Sequence, residues 1–375
     1  MQGGAPHIAA ALAPFFTPVS FGHMPGWRED SLLCAFLAFR RSAFQVLEKP
    51  YRSGSLGIAL SAFADAHEAA RSMAAPDEAS ARAFFETHFT PCRIRPADDG
   101  HGFVTGYYEP EAEASRERTK RFCVPLYRRP ADLADVDDAN RPAGFDPYFA
   151  FARNTATGLV EHPDRGAIDR GALEGQGLEL VWLENKMDAY FIHVQGAARL
   201  RLTDGTHMRI TYAAKSGHRF TGAGRVLIDM GELAPETVTM QTIRAWFRDN
   251  PQRVEEILWH NRSYIFFRET EIGNPALGPV AAAKVQLEPG RSIAVDRLLH
   301  TFGTPFFIDA PTLRAVGDAP FRRLMIAQDT GSAITGPARG DLFIGTGFEA
   351  GEIAGVIRNH ADFYALVPCG LVEAP

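Results

Sequence analysis

The chain has 375 residues, of which 46% are hydrophobic and 22% charged, and its net charge at pH 7 is -6. That length leaves room for two domains, and the composition is ordinary for a soluble globular protein. The negative charge and the absence of a basic run argue against a nucleic-acid-binding protein, whose basic face would neutralise phosphates. No zinc or thioredoxin-like redox site is predicted, because the four cysteines lack CxxC spacing: Cys34, Cys92, Cys123 and Cys369.

The N-terminus contains a short apolar stretch, Ile8 to Phe16, which Pro14 interrupts. No Lys or Arg precedes Arg28 and no cysteine lies near the start, so we expect neither a signal peptide nor a lipid anchor in this sequence. No apolar run reaches the roughly 18 residues that a membrane-spanning helix needs.

Helices are predicted for the first part of the chain. Apolar residues recur at helical spacing between Glu29 and Glu48, which predicts an amphipathic helix with Asp30 and Ser31 as its cap. The apolar stripe comprises Leu32, Phe36, Phe39, Ala43 and Leu47. A second helix is expected over about 56–73, and a third from Pro76, where a proline and two acids suit a first helical turn.

The middle of the chain changes to β patterns. The sequence FVTGYYEP, Phe103 to Pro110, predicts a short strand and turn, and alternation predicts a strand over Met187 to Gln195. Two further runs, at 198–202 and 207–212, flank an Asp-Gly pair, which is a strong hairpin signal. Residues 132–169 are rich in Asp, Pro and Gly and are predicted to be loop with a few short elements.

Helices are expected again at 236–249 and 251–260, followed by short strands between Gly and Pro turns. The predicted strands lie at 264–267, 285–287, 304–309, 324–327, 342–344 and 363–367, and a short helix at 348–354 interrupts them. Many short strands separated by turn residues favour small barrels. We therefore predict an α+β fold that is mainly β, with a helical N-terminal region.

Two aspartates near the C-terminus are the candidate catalytic residues. Asp329 follows an apolar strand and Asp341 precedes another, twelve positions later, with a Gly/Pro loop between them. Such an arrangement presents acids at the edge of a scaffold. The sequence DTGS at Asp329 is typical of an aspartic protease, but that chemistry needs two such aspartates, and the chain has no second D-[ST]-G.

Glycoside cleavage is the other interpretation of these acids. Asp341 borders an apolar run, and burial among such neighbours would raise its pKa and keep it protonated as an acid. Asp329, Asp296 and Glu349 are the candidates for orienting it, although each has the alternative role of a turn or cap residue. No HExxH, P-loop, G-x-S-x-G or dinucleotide-binding motif occurs, so no metal or cofactor is predicted.

A set of separated motifs runs through the chain: TGYYEP at Thr105, YFIHVQGAARL at Tyr190, YAAKSGH at Tyr212, VLIDMGE at Val226, QTIRAW at Gln241, NRSYIFFRE at Asn261, AVDR at Ala294, RLMIAQDTGSAITG at Arg323 and DLFIGTGFEAGEIAG at Asp341. Together they resemble the membrane-bound lytic transglycosylase A family, murein hydrolases with a C-terminal three-aspartate (3D) domain. The resemblance covers roughly Phe103 to Pro368, and the first hundred residues match weakly. So many ordered motifs are far more specific than any one of them.

The resemblance implies a double-psi β-barrel domain, formed by residues 1–109 and 267–375, and a second β-barrel domain inserted as residues 110–266. A groove between these domains would hold a glycan strand. The implied partners are peptidoglycan glycan strands and other cell-wall enzymes, and the implied state is a monomer without cofactor or metal. Because peptidoglycan lies outside the inner membrane, the implied location is the periplasm or outer membrane of a Gram-negative bacterium.

The three aspartates that name the domain fall on Asp296, Asp329 and Asp341. The resemblance implies that Asp341 is the single catalytic acid and then base, supported by Asp329 and Asp296. The implied reaction cleaves the β-1,4 bond between N-acetylmuramic acid and N-acetylglucosamine and leaves a 1,6-anhydro end.

Substrate contacts are expected from four residues, each of which has the alternative role of a core or strand-end residue: Tyr107, Tyr108, Gln195 and Gly196. The two tyrosines would stack on sugar faces, and the glutamine with the glycine backbone would reach the glycan from the inserted domain. The alternative function is a catalytically silent glycan-binding protein of the same fold.

Overall fold

The structure, a computed structural model, describes residues 12–95 and 100–372. The chain divides into two compact units. The first, which we call the barrel unit, contains the chain up to Tyr107 together with Ala276–Gly345 and Ile357–Pro375. The second, the insert unit, contains Tyr108–Pro275 and Thr346–Val356. The apolar stretch noted from Ile8 begins outside the described residues.

Strands dominate the described residues, and their order is β1 Phe16–Pro18, β2 Phe89–Ile94, β3 Gly102–Glu109, β4 Glu111–Ser115, β5 Val124–Tyr127, β6 Leu133–Asp135, β7 Phe151–Thr155, β8 Gly158–Val160, β9 Glu179–Leu183, β10 Ala197–Leu202, β11 His207–Lys215, β12 Ile265–Thr270, β13 Ser292–Val295, β14 Pro305–Ala310, β15 Phe321–Asp329, β16 Arg339–Thr346 and β17 Arg358–Pro368.

The helices are α1 Leu33–Glu48, α2 Ala64–Ser72, α3 Glu78–His88, α4 Arg165–Ala167, α5 Lys186–Gln195, α6 Ala223–Asp229, α7 Met240–Asp249, α8 Val254–Trp259 and α9 Phe348–Ala354, with 3₁₀ or π turns at Phe21–His23, Leu60–Phe63, Ile168–Ala172 and Pro251–Arg253. The chain is mostly β with some helices, which confirms the predicted fold class at that level. Among the described helices, none combines the length and the apolar character that crossing a membrane requires.

The eight-stranded sheet of the barrel unit closes on itself. Its strand order is β1-β2-β17-β14-β15-β13-β16-β3, and β17 also pairs with β3, so the strands from β17 to β3 form a ring. Strand β14 pairs antiparallel with both of its neighbours, whereas β13 and β15 run parallel. Because β14 is buried along its whole length, Pro305–Ala310 is a nearly continuous apolar run rather than an alternating pattern.

The N-terminal helices pack on this sheet through an aromatic cluster. Phe36 and Phe39 of the predicted stripe are fully buried, and the Phe39 ring lies 5.7 Å from that of Phe89 in β2. Leu47, the last member of the stripe, is instead 66% exposed. The predicted amphipathic helix is thus confirmed as α1, with its apolar face narrower at the C-terminal end.

The cap predicted for α1 at Asp30 and Ser31 was wrong. The carboxylate of Glu78, at the start of α3, accepts hydrogen bonds from the backbone N–H groups of this helix start, including that of Leu33 at 3.2 Å. The Asp30 carboxylate is instead buried against Arg291, with oxygen–nitrogen distances of 2.7 and 2.8 Å. A buried guanidinium requires a carboxylate partner, and this requirement overrides the local capping preference.

The insert unit has its own six-stranded sheet, in the order β12-β11-β10-β4-β9-β5. The predicted hairpin is confirmed, because β10 and β11 pair antiparallel across a turn in which Gly205 has a φ of 84°. A bridge between Arg128 and Phe267 joins the end of β5 to β12, the opposite edge of the sheet. The loop-rich region 132–169 contributes a separate three-stranded sheet, β6-β7-β8.

The strand predicted over Met187 to Gln195 was wrong, because this segment is helix α5. Residues 189–193 are all buried, so their apolar run has no periodicity that separates a buried helix from a buried strand. Local helix signals were nevertheless present. The Asn185 side chain accepts a hydrogen bond from the N–H of Asp188, and Gly196 ends the helix with a φ of 75°.

Four strands predicted for the barrel unit are confirmed as parts of β14, β15, β16 and β17: 304–309, 324–327, 342–344 and 363–367. The helix predicted at 348–354 is confirmed as α9, which belongs to the insert unit. The strand predicted at 285–287 was wrong, since this stretch contributes an isolated bridge between Val280 and Gln286. Strand β13 was not predicted, although it lies between β15 and β16 in the sheet.

Candidate active site

The two aspartates lie on either side of one strand of the barrel unit. Asp329 is the last residue of β15 and Asp341 the third of β16. Strand β13 runs between them, and its Ala294 pairs with both aspartates. Residues opposite the same position share a face of a sheet, and two strand spacings amount to roughly 10 Å. The fold therefore places both acids at one level of the barrel wall.

The third aspartate holds the loop that joins the other two. Oδ2 of Asp296 accepts a hydrogen bond from the N–H of Gly336, and Oδ1 accepts one from the N–H of Leu298, both at 3.0 Å. The His300 ring nitrogen Nε2 lies 2.9 Å from the carbonyl oxygen of Pro337. Burial lowers the pKa of His300 to about 4, so the ring is neutral and Nε2–H donates to that carbonyl. Both contacts fix the end of the loop.

Asp341 is half-buried and accepts one hydrogen bond from the described residues. The Thr105 hydroxyl donates to its Oδ1 at 2.5 Å, and the Arg339 guanidinium donates to the same hydroxyl at 2.7 Å. Burial raises the pKa of Asp341 above its ordinary value, while the Thr105 hydrogen bond and the Arg339 charge oppose this rise. In the described part of the chain, Oδ2 of Asp341 accepts no hydrogen bond, so this oxygen is available to exchange a proton.

Both carboxyl oxygens of Asp329, by contrast, are engaged. Oδ1 accepts hydrogen bonds from the N–H groups of Ala282 at 3.2 Å and Thr330 at 2.9 Å, and Oδ2 accepts one from the Tyr107 hydroxyl at 3.0 Å. Burial raises the pKa of Asp329 to about 6, and the charge of Asp341 adds to this rise, while the three donors oppose it. The two acids are therefore electrostatically coupled.

Hydrogen bonding separates the roles of the two acids more clearly than their pKa values do. Burial raises the pKa of both, but neither oxygen of Asp329 is free of a hydrogen bond from the protein. Asp341 keeps one such free oxygen. Repulsion between the two carboxylates disfavours the state in which both are ionised.

The two tyrosines predicted to stack on sugars are buried, with Tyr107 9% and Tyr108 6% exposed. The Tyr107 ring packs on Phe343, with a centroid distance of 5.3 Å. Burial and the charges of Asp329 and Asp341 raise the pKa of Tyr107 far above its ordinary value, so its hydroxyl remains a donor. Tyr107 therefore orients Asp329, and little of either ring is exposed to a sugar.

The remaining predicted contacts lie in the insert unit. Gln195 is the last residue of α5, and its Oε1 accepts a hydrogen bond from the N–H of Tyr108 at 3.1 Å. The Gly196 carbonyl accepts one from the N–H of Tyr212 at 2.8 Å. Tyr108 also packs against Gly351, where an added Cβ would lie 2.7 Å from the ring. These contacts connect α5 with β3, β11 and α9 inside that unit.

Thr105 and Arg339 were not predicted as site residues. Thr105 and Tyr107 are two residues apart in β3, so their side chains share a face of the strand, and each donates to a different aspartate. The same spacing relates Arg339 to Asp341 in β16. Period-two spacing from Tyr107 and Asp341 was therefore the sequence signal that would have found both residues.

Metal-ligating groups were also searched for. Within residues 12–95 and 100–372, no set of three or more His, Cys, Asp or Glu side chains is placed to hold a metal ion. All four cysteines are free thiols. The site contains one carboxyl group with an oxygen that can exchange a proton, beside an acid whose two oxygens both accept hydrogen bonds. This arrangement is suited to general acid–base catalysis.

Two family models match the chain. The MltA specific insert domain matches residues 103–268, and the 3D domain matches residues 291–367. The first match contains Thr105 and Tyr107, and the second contains all three aspartates.

Named relatives and solved structures agree with these matches. The membrane-bound lytic murein transglycosylase A of Escherichia coli (strain K12) is 31% identical over 275 residues, 72% of this chain and 67% of the relative. The crystal structure of a membrane-bound lytic murein transglycosylase from Agrobacterium tumefaciens is similar with a TM-score of 0.89 and 53% identity, covering 94% of this chain and 97% of that one. The crystal structure of E. coli MltA with bound chitohexaose is similar with a TM-score of 0.67 and 26% identity, covering 97% of each chain.

Proposed function

We propose that one carboxyl group, that of Asp341, carries both proton transfers in this chain, which belongs to the membrane-bound lytic murein transglycosylase A family and is a peptidoglycan lytic transglycosylase. Family membership confirms the resemblance found in the sequence. The enzyme cleaves the β-1,4 bond between N-acetylmuramic acid and N-acetylglucosamine and forms a 1,6-anhydromuramoyl end. The observation that supports the role of Asp341 is its unbonded Oδ2 beside the fully bonded carboxyl of Asp329.

In the first step, protonated Asp341 donates its proton to the glycosidic oxygen. The bond between that oxygen and C1 of N-acetylmuramic acid breaks, N-acetylglucosamine leaves with a new hydroxyl group, and positive charge develops at C1. The raised pKa of Asp341, caused by burial, favours the protonated form that this step needs.

In the second step, the Asp341 carboxylate accepts the proton of the C6 hydroxyl of the same sugar. The C6 oxygen bonds to C1 and closes the 1,6-anhydro ring, and Asp341 is again protonated. Thr105 and Arg339, which lower the pKa of Asp341, stabilise the carboxylate that exists between the steps. One carboxyl thus serves twice, and the reaction requires no second carboxylate as nucleophile.

The finer features of the fold and location are also proposals. We assign residues 1–109 and 267–375 to a double-psi β-barrel domain and residues 110–266 to an inserted barrel. The closed ring of strands, the bridge between β5 and β12 and the insert-domain match support this assignment.

We propose that the protein is a monomer in the periplasm or at the outer membrane. Its proposed partners are peptidoglycan strands and other cell-wall enzymes. Chitohexaose in the E. coli MltA structure supports a glycan ligand, and the name of the relatives, membrane-bound, supports a membrane-associated location.

The variant Asp341→Asn tests the assignment. With purified peptidoglycan sacculi as substrate, we expect release of 1,6-anhydromuropeptides, measured by mass spectrometry, to fall by at least about 10³-fold, since the asparagine amide can act neither as a general acid nor as a general base. Asp318→Asn, an exposed aspartate of the same unit, serves as the control and retains activity. Thermal unfolding of both variants close to that of the parent shows that the fold is intact.

Two results contradict the proposal. Full product release by Asp341→Asn transfers the role to another acid, with Asp329 the first to test. Co-sedimentation of the parent protein with sacculi without any anhydro product indicates the alternative, a glycan-binding protein without catalysis.

A further inference from the structure

The insert unit contains a lysine whose charge is not neutralised by a neighbouring acid. Lys215, the last residue of β11, places its ammonium 4.4 Å from the ring centroid of Tyr148 and donates to the Tyr148 hydroxyl at 3.1 Å. Among the described residues, no carboxylate oxygen lies within 4.0 Å of this ammonium. A half-buried ammonium that is only partly hydrated has a favourable site for an anion beside it.

A second cation shares the same ring but is already paired. The Arg219 guanidinium lies 4.4 Å from the Tyr148 centroid, and its nitrogens donate to both carboxylate oxygens of Asp146 at 3.0 to 3.2 Å. Asp146 therefore neutralises Arg219, whereas no acid of the described residues is paired with Lys215. We call the side chains of Lys215 and Tyr148 the Lys215–Tyr148 pair.

The backbone around the pair is held in place without a ligand. Oδ1 of Asp146 accepts the N–H of Tyr148 at 2.9 Å, which fixes the loop that presents the ring. Gly217 has a φ of 92°, and a Cβ there would lie 2.4 Å from the Phe151 carbonyl oxygen and 2.6 Å from the Phe149 ring. Only glycine lets this segment approach the tyrosine loop so closely. The pair is therefore preorganised rather than a chance contact of two mobile side chains.

The pair lies at the C-terminal end of β11, near an exposed aromatic residue. Tyr212 follows the core residues Met208 and Ile210 on the same face of the strand, but it is 41% exposed, and Lys215 is half-buried, so both side chains reach solvent at this end of β11. The N–H of Tyr212 is bonded to the Gly196 carbonyl, one of the predicted substrate contacts. An exposed tyrosine offers an apolar face for a sugar ring. Tyr212 and Lys215 are three residues apart in β11, and the register shift between Tyr212 and Ala214 leaves them opposite Phe267 and Ile265, two residues apart in β12.

We propose that the Lys215–Tyr148 pair binds a carboxylate carried by the N-acetylmuramic acid of the glycan strand, on its lactyl group or on its peptide stem. The proposal rests on the proposed function, because it assumes that the strand is the substrate. The ammonium supplies charge and hydrogen bonds. The Tyr148 hydroxyl, which accepts from Lys215 and donates to no acceptor in the described residues, supplies a second donor.

Binding measured on an inactive enzyme tests the proposal without strand cleavage. In the Asp341→Asn background, the dissociation constant is measured by fluorescence anisotropy for soluble glycan strands of one length, either untreated or with their carboxylates amidated. We expect the untreated strands to bind about fivefold more tightly, the effect of one charged hydrogen-bonded contact at a surface. Adding Lys215→Met to the background should reduce this ratio to about one.

Two further variants sharpen the result. Lys120→Met removes an exposed lysine of the same unit and should keep the fivefold ratio, which controls for net charge. Tyr148→Phe keeps the ring and removes only the hydroxyl, so a ratio of about two is expected even if Lys215→Met folds poorly. Strands stripped of stems by an amidase, which frees the lactyl carboxyl from its amide bond to the stem, separate the two sources: a retained ratio shows that the lactyl carboxylate is also bound, and a lost ratio assigns the contact to the stem alone.

The proposal is overturned if the untreated and amidated strands bind the background protein equally, or if Lys215→Met keeps the ratio while its thermal unfolding is unchanged. Neither outcome affects the assignment of Asp341, which product release by the protein with Asp341 intact tests separately. Conversely, activity retained by Asp341→Asn would contradict the proposed catalytic residue. The ratio of the two dissociation constants would then be measured in a variant that lacks the acid responsible for catalysis.

Discussion

Two carboxylates, the fully buried Glu109 of the insert unit and the half-buried Asp341 of the barrel unit, are compensated differently. Glu109 is fully buried against the equally buried Arg209, with nitrogen–oxygen distances of 2.8 and 2.9 Å, and the Thr346 hydroxyl donates to it at 2.8 Å. Asp341 accepts one hydrogen bond from a neutral hydroxyl, and Arg339 acts through that same hydroxyl.

The difference shows two ways in which a protein surrounds a buried carboxyl group: with a guanidinium in direct contact, or with a single neutral donor. Burial raises the pKa of both groups, but Glu109 has a guanidinium in direct contact to hold its charge. A buried carboxyl with few donors changes its protonation state more easily near neutral pH. We therefore expect the buried acid of the insert unit to stabilise the fold, whereas the role that we propose for Asp341 of the barrel unit is proton transfer.

The largest effect is expected when the compensated pair is broken. Glu109→Gln removes the carboxylate that lies against the buried Arg209 guanidinium, and we expect the free energy of unfolding to fall by about 3–5 kcal/mol. Urea unfolding followed by tryptophan fluorescence measures the loss. Glu111→Gln, at an exposed neighbouring position, is the matched control and should cost less than about 1 kcal/mol. Equal, small losses in both variants would show that the pair does not hold the fold.

Asp329 provides a test in which stability depends on pH. Its pKa in the folded protein is about 6, above the ordinary 3.8, so folding favours the protonated form. The stability that this preference contributes is present below about pH 4 and is lost as the pH rises through 6. The loss amounts to about 2–3 kcal/mol at pH 7. Asp329→Asn cannot titrate, so its stability relative to the parent should increase between pH 4 and pH 7.

Urea unfolding at intervals across that pH range measures this difference. Asp318→Asn, which removes an exposed aspartate, should show a flat difference from the parent over the same range. If the difference in unfolding free energy between Asp329→Asn and the parent is also independent of pH, Asp329 ionises in the folded protein at its ordinary pKa, contrary to the raised pKa.

A smaller effect is expected for the hydroxyl that distinguishes Asp341 from a fully compensated acid. Thr105→Val removes the hydrogen bond to Asp341 and the link to Arg339, so the pKa of Asp341 should rise. We expect kcat to fall about tenfold, because the carboxylate between the two steps is less stabilised. The high-pH limb of the kcat profile should move to higher pH.

Thr105→Ser keeps the hydroxyl and serves as the matched control, with a profile close to that of the parent. If the valine variant has an unchanged pH profile, Thr105 is not coupled to the catalytic proton. If the serine variant loses as much activity as the valine variant, the methyl group rather than the hydroxyl is responsible.

Local patterns were sufficient wherever neighbouring residues decide the structure. The hairpin at Asp204 and Gly205, the apolar strands flanking Asp329 and Asp341, and helix α9 were all predicted, because turn chemistry and periodicity are properties of a short segment. Helix α5 was missed because it is buried on nearly all sides, which removes the periodicity that marks a helix.

Residue types were less informative about roles. Tyr107 was predicted to stack on a sugar because it is aromatic, whereas the structure buries its ring against Phe343 and directs its hydroxyl to Asp329. Asp296 was predicted to support the catalytic acid, and its carboxylate accepts a hydrogen bond from Gly336 in the loop that connects the other two aspartates. In both cases the chemistry of the side chain was clear from the sequence, but its partner was not.

The sequence by itself determined the family, the mainly β fold class and the presence of two acids separated by a loop, since all three depend on ordered local motifs. Only the tertiary structure decided which of the two acids keeps a free oxygen. The donors that make this distinction, Thr105 and Tyr107, are 236 and 222 residues away from Asp341 and Asp329. Hydrogen bonding across such distances follows from the closure of the sheet, which no local pattern specifies.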